Sequence, residues 1–131
     1  MIEIYTLAEK IYGASGALKS QKSSSLIWKK NREKWFEELE KLRTDVFELE
    51  EILDYSYSEE HFGLIKDMKD IIDACEEALR QKRYGYKAKC TNYMQAFHSL
   101  PRAFFSPENY KCASVTEARG YAEFWLRICE K

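Results

Sequence analysis

Two histidines and four cysteines are the side chains here best suited to acid–base, nucleophilic or metal chemistry, and their spacing argues against all three. His61 follows Glu60 in the first turn of a predicted helix and should face solvent. His98 follows Phe97 near the end of another, where the helix dipole favours a cation. A carboxylate-bridged di-iron bundle needs Glu three residues before each His, so that both ligands share one face. Ser58 and Gln95 stand there instead. Cys75, Cys90, Cys112 and Cys129 are separated by 15, 22 and 17 residues, so no C-x-x-C encodes a zinc ribbon or redox dithiol. Reduced, buried thiols acting as small hydrophobes are expected, with a four-cysteine site assembled by folding as the alternative. Cys90 and His98 lie eight residues apart, about 12 Å along a straight helix, and meet as a nucleophile pair only if the fold bends.

The stretch Gly13-Ala14-Ser15-Gly16-Ala17-Leu18-Lys19-Ser20 falls one residue short of a phosphate-binding loop. That loop needs Gly directly before the Lys so that the backbone can wrap the phosphates, and Leu18 occupies the place. It also needs a preceding strand, whereas residues 2–12 repeat apolar positions at helical steps. The reading that follows is non-enzymatic, with no catalytic residue, metal or cofactor.

The elements that carry these residues are helices. Ile4, Leu7, Ala8, Ile11, Ala14 and Leu18 mark one face of a helix from residue 2 to about 20, and Gly13, Gly16 and Ala17 would let another helix come close. After Ser23 and Ser24, Ser25 is the N-cap candidate of the longest helix, about 25–54. Its seam of Trp28, Trp35, Leu39, Leu42, Val46, Leu49 and Leu53 keeps heptad spacing, with Arg32 filling the one polar gap. Phe36 and Ile52 flank that seam and broaden it beyond what a two-stranded coiled coil uses, which favours a bundle. A capping box at Ser56 and Glu59, with Ser58 as rival cap, opens a third helix to about 83. That helix should bury Leu64, Ile65, Met68, Ile71, Ile72, Cys75, Ala78 and Leu79. Tyr84-Gly85 breaks the chain before a fourth helix striped with Tyr86, Cys90, Tyr93, Met94, Phe97 and Leu100. A Pro-containing loop follows, with a brief helical turn expected at Ser106-Pro107-Glu108. Ser114 and Glu117 box the last helix, whose apolar positions Ala118, Tyr121, Ala122, Trp125, Ile128 and Cys129 are widened by Phe124 and Leu126. Only Arg119, Glu123, Arg127 and Glu130 mark its wet stripe, so it should sit centrally. With only 5 Gly and 2 Pro there are too few turn-formers for a many-stranded barrel or sandwich. The fold class is all-α, a single-domain bundle of four to five helices across residues 1–131 with one long central helix.

Net charge is −1, but residues 1–43 carry +3, residues 44–78 carry −10 and residues 79–131 carry +6. The blocks either pair with one another or form opposed faces. Three candidate surfaces result. Asp67, Asp70, Asp73, Glu76 and Glu77 line the wet side of the third helix as a partner-binding face that could imitate nucleic acid. Phe104 and Phe105, with Tyr110, are aromatic anchors for a partner or else a plug for the end of the bundle. Arg80, Lys82, Arg83, Tyr84, Tyr86, Lys87 and Lys89 mix cations with aromatics as phosphates and stacked bases favour.

These features point to a protein-binding module, such as an adaptor, immunity factor or inhibitor. A nucleic-acid accessory protein using residues 80–89 is the alternative. The partner is then another protein or a nucleic acid, not a membrane, because no apolar run approaches the ~20 residues of a span. A cytoplasmic monomer or homodimer is expected. Thiol titration in denaturant should return four free thiols, with no stoichiometric zinc or iron on elemental analysis. One tightly held zinc per chain would reinstate the assembled cysteine site.

Overall fold

The computed structural model describes residues 2–21, 25–54 and 56–130, the side chains of residues 2 and 25–31 excepted. Five helices run in the order α1 (Ile2–Lys19), α2 (Ser25–Ile52), α3 (Glu59–Gln81), α4 (Tyr86–Ser99) and α5 (Val115–Cys129). A short 3-10 turn, Leu100–Phe104, extends α4 directly. There is no strand among the described residues, and the helices pack together as an all-α bundle.

The seam of α2 buries as its spacing requires. Trp35, Leu39, Leu42, Val46 and Leu49 are all but inaccessible, whereas the off-seam Phe47 is about half exposed. Trp28 lies outside the residues whose side chains are described. Ser25 is the first helical residue rather than the cap, and the cap position falls outside the described residues. The polar gap in the seam has a use: the guanidinium of Arg32 donates from Nε and Nη2 to the carbonyl of Leu79, at 3.2 and 3.0 Å. The last carbonyls of a helix have no partner within it. Arg32 thus ties α2 to the end of α3.

The long helix is not the innermost one. α2 packs chiefly on α1 and α3, while α4 packs against α1, α3 and α5. Cys90, Met94, Ala96, Phe97 and Leu100 are sealed by those neighbours. The expectation that α5 is central fails for the same reason. α5 docks on α4 and the 3-10 turn through Ala118, Ala122 and Cys129, and its far side has no further helix.

Two local signals settle one step away from their expected place. Ser58, not Ser56, caps α3, accepting from the His61 amide at 3.4 Å. Asp54 captures Ser56, taking its amide at 2.9 Å and its hydroxyl at 2.5 Å. The helical turn of the Pro loop lies at Leu100–Phe104, and Ser106–Asn109 closes only a single turn. α3 ends at Gln81 because Lys82 adopts the left-handed conformation, φ 50°. Gly85, at φ 79°, completes the reversal, a backbone setting that costs glycine little. Ser114 caps α5 as its box requires, 3.1 Å from the Glu117 amide.

Phe104 and Phe105 are buried, so they plug the end of the bundle and are withdrawn as surface anchors. Arg102 latches the loop behind them: its Nε donates to the Lys111 carbonyl at 2.8 Å and its own carbonyl accepts from Ala113 at 3.2 Å. Asn109 adds a bond to Glu9 of α1 at 3.0 Å. Replacing a fully buried Phe by Ala removes both transfer free energy and packing. Phe104→Ala should therefore lower unfolding free energy by about 3–5 kcal/mol in urea titration. A loss below about 1 kcal/mol, the range of surface changes, would contradict the plug.

Candidate functional site

The acidic face is largely cancelled by its own chain. Asp73 receives the Arg43 guanidinium at 2.6 Å, Asp70 the Lys66 ammonium at 2.9 Å, and Asp67 the Arg119 guanidinium at 3.3 Å. Glu77 pairs with Arg80 at 3.2 Å. Glu76, read as a wet-face residue, is buried between Arg43 and Arg80. Its position was legible: it lies four residues after Ile72 and three before Leu79, on the edge of the apolar stripe. What spacing could not show is the counter-charge from α2. A buried carboxylate without a cation would be costly, and the Arg43–Glu76 contact clamps α2 to α3. Lys10–Asp45 and Lys69–Glu50 join further members of the acidic block to other helices. Arg43, Lys66, Arg80 and Arg119 thus reach all five carboxylates of this face, which as a phosphate imitation loses most of its field. The four cations from the flanking blocks, Lys10, Arg43, Arg80 and Arg119, bring the −10 block only to −6.

The basic segment keeps its exposure in part. Arg80 is engaged by Glu76 and Glu77, and Tyr86 packs on the core with Lys87 5.9 Å from its ring centroid. Lys82, Arg83, Tyr84 and Lys89 are exposed, and Tyr84 is wholly in solvent.

Neither histidine behaves as its sequence position suggests. His61 is half-buried: its Nδ1 lies 2.9 Å from the Ser58 hydroxyl, and its ring meets Phe104 edge-on at 5.5 Å. Burial pushes its pKa down, against the opposing pull of the Ala103 backbone and Glu60. His98 stacks on Tyr12 at 3.9 Å and its Nδ1 lies 2.9 Å from the buried Ser15 hydroxyl. Gly16 makes this fit possible, because a Cβ there would stand 3.0 Å from the ring. The glycines of the failed phosphate loop therefore sit inside α1, and one of them serves helix approach. Burial above all, then Lys19, Lys111 and Arg102, lowers the His98 pKa to about 4. It is a neutral structural ring, not a cationic cap.

Three thiols meet where α3, α4 and α5 converge. Cys75 Sγ is 3.9 Å from the Cys90 carbonyl, Cys90 Sγ 3.8 Å from that of Cys75, and Cys129 Sγ 3.9 Å from that of Lys89. Burial drives the Cys75 thiol well up, and Cys129 up to about 11. At neutral pH Cys75 and Cys129 are therefore protonated and poor nucleophiles. Cys90 faces Cys75 while His98 faces α1, so the Cys–His pair is not assembled. Among the described residues no cluster of His, Cys, Asp and Glu has metal-binding geometry, and no helix is long and apolar enough to cross a membrane.

The surface that sequence reasoning missed is the outer side of α5. Tyr121 is 55% exposed, Phe124 56% and Ile128 37%, with Trp125 half-buried beside them. All were read as core, because spacing measures the width of an apolar face without saying whether a neighbour covers it. A shallow, largely apolar depression there is lined by Glu117, Gly120, Tyr121, Phe124 and Trp125.

The His98 geometry has a pH consequence. Its pKa is about 6.5 unfolded and about 4 folded, so between these values the unfolded chain binds more protons. The stability it contributes is complete above about pH 6.5 and is lost as pH falls towards 4. Urea midpoints should fall more steeply over that window in the natural chain than in His98→Gln. An NMR titration placing His98 at 6.5 or above would contradict the buried, neutral ring.

Comparison with known proteins gives no matching family model, no similar curated sequence and no similar solved structure, so the surfaces themselves carry the functional reading.

Proposed function

We propose that this protein is a non-enzymatic protein-binding module that acts through the outer face of α5. The supporting observation is the run of Tyr121, Phe124 and Ile128, three large apolar side chains each more than a third exposed on one helix. Scattered exposed hydrophobics are ordinary, but a contiguous aromatic patch rimmed by charge is the composition of a contact surface. Aromatic anchors of this kind carry much of the binding energy in interfaces. The acidic face and the Phe104–Phe105 pair support the same class less well, since one is ion-paired and the other is buried.

One observation favours a second reading. Tyr84 stands wholly exposed between Lys82–Arg83 and Lys87–Lys89, the arrangement in which an aromatic ring stacks on a base while cations hold the backbone. On that reading the protein is a nucleic-acid accessory factor.

A photo-reactive residue placed at Phe124 or at Tyr84, in cells of the native source, separates the two. Cross-linking to protein from position 124 is expected, resistant to nuclease. Tyr121→Ser with Ile128→Ser should weaken capture of that partner at least ~30-fold, as for hot-spot residues. Cross-linking to nucleic acid from position 84, abolished by neutralising Lys82, Arg83 and Lys89, with none to protein from 124, would overturn the proposal in favour of the second reading.

A further inference from the structure

α3 and α5 both pack on α4 without fully closing on each other, and a groove of about 590 Å³ remains between them. Each wall is one stripe of its helix, at steps of three and four residues: Asp67, Asp70, Ile71 and Ala74 on α3, and Arg119, Ala122, Glu123 and Leu126 on α5. Tyr93 of α4 lines the groove as well. Each wall advances seven residues, about 10 Å of helix. At one end the two walls are bridged, because Arg119 reaches across to Asp67 at 3.3 Å. A Cβ on Gly63 would stand 2.9 Å from Arg119 Nη2, so glycine gives the guanidinium its place against α3. One turn further along, Ile71 and Ala122 are buried while Asp70 and Glu123 beside them are exposed. The groove therefore combines an apolar floor with a carboxylate on each rim. Asp70 meets Lys66 in a largely exposed pair, which is worth little and exchanges readily. Glu123 has no ion-pair partner among the described residues.

We infer that this groove binds a small organic cation, a primary ammonium carried on an alkyl or aryl body. The body lies on Ile71, Ala74, Leu126 and Tyr93, and the ammonium meets Asp70 and Glu123 at the rims. Size follows from the space: the volume is that of a small-molecule site, about 300–1,000 Å³. The Asp67–Arg119 bridge stops an elongated partner from running through, whereas a short ligand fits behind it. Sign follows from the charge. With Arg119 counted, the lining residues carry −2, and the acidic block that contains Asp67 and Asp70 keeps −6 after its pairing with other blocks. An anion meets repulsion from both rims, and a neutral body gains the floor alone. An ammonium has three donors and no acceptor, which suits two carboxylates. The site lies on the flank of α5 away from Tyr121, Phe124 and Ile128, so it stands apart from the contact surface proposed above.

n-Octylamine, n-octanol and octanoate share one kind of hydrocarbon body and differ in charge, so they serve as probes in isothermal titration calorimetry at neutral pH and low salt. Octylammonium should bind once per chain, roughly tenfold or more tighter than octanoate, and should weaken as salt is added. NMR shift changes should centre on Ile71, Ala74, Tyr93 and Leu126. Asp70→Asn with Glu123→Gln keeps the shape and removes the rim charge. That double variant should lose roughly tenfold in octylammonium affinity while octanol binding stays unchanged. Ala74→Leu fills the floor at a half-exposed position and should weaken both probes. Far-UV circular dichroism checks that each variant folds. Equal affinity for octylammonium and octanoate overturns the inference, as does binding that the double variant leaves intact. So do shift changes centred on Phe124, or no saturation by about 5 mM octylamine. A lysine-bearing helical peptide that shifts the groove residues where octylammonium does not would assign the groove to a protein, and overturn it equally. None of these results depends on what position 124 cross-links to.

Discussion

The packing of α4 on three sides is the constraint from which the rest of the molecule follows. α4 has fourteen residues, too few to support the bundle by length, and instead it is enclosed by α1, α3 and α5. Cys90, Met94 and Phe97 lie on one stripe of it and Ala96 lies well off that stripe, and all four are fully buried. Close approach on the α1 side needs the small residue Gly16 under the His98 ring. On the α3 side Cys75 and Cys90 face each other, and on the α5 side Cys129 reaches the Lys89 carbonyl. Small side chains at each crossing let three helices share so short a core. Having closed around α4, the bundle has no further helix to cover α5.

Charge organises the outer contacts. The acidic and basic blocks are separate in sequence and interleaved in space, with α2 bound to α3 through Arg43, Asp73 and Glu76, and α3 to α5 through Asp67 and Arg119. Exposed pairs contribute little each, commonly below about 1 kcal/mol, and screen with salt. The Arg43–Glu76 contact differs because its carboxylate is out of water, and removing either partner would strand a buried charge. Arg32 acts on the same junction by a different route, supplying donors to the final turn of α3.

What could be read from the sequence followed from local periodicity. The α2 seam, the Ser114 cap and the break at Tyr84-Gly85 needed only neighbours three or four residues away. Readings that failed depended on partners far along the chain. Glu76 required Arg43, thirty-three residues earlier. His98 required Tyr12, Ser15 and Gly16: the sequence showed that Gly16 would let a helix come close, but not that the approaching group would be this ring. α5 is the clearest case: its apolar width was correctly seen, but width alone cannot distinguish a helix enclosed by its own chain from one that presents a face. Of the two readings of Phe104 and Phe105, burial bears out the plug, though nothing local announced that Arg102 would fasten the loop behind them.

Native-state amide hydrogen exchange, at a concentration low enough to keep the chain monomeric, tests most directly whether α4 is the innermost helix and α5 the open outer layer. The slowest amides should lie in α4 between Cys90 and Phe97, exchanging only by global unfolding, with those of α5 faster because one side of that helix is uncovered. Amides of α5 as slow as those of α4, or an α4 that exchanges ahead of α2, would contradict the account.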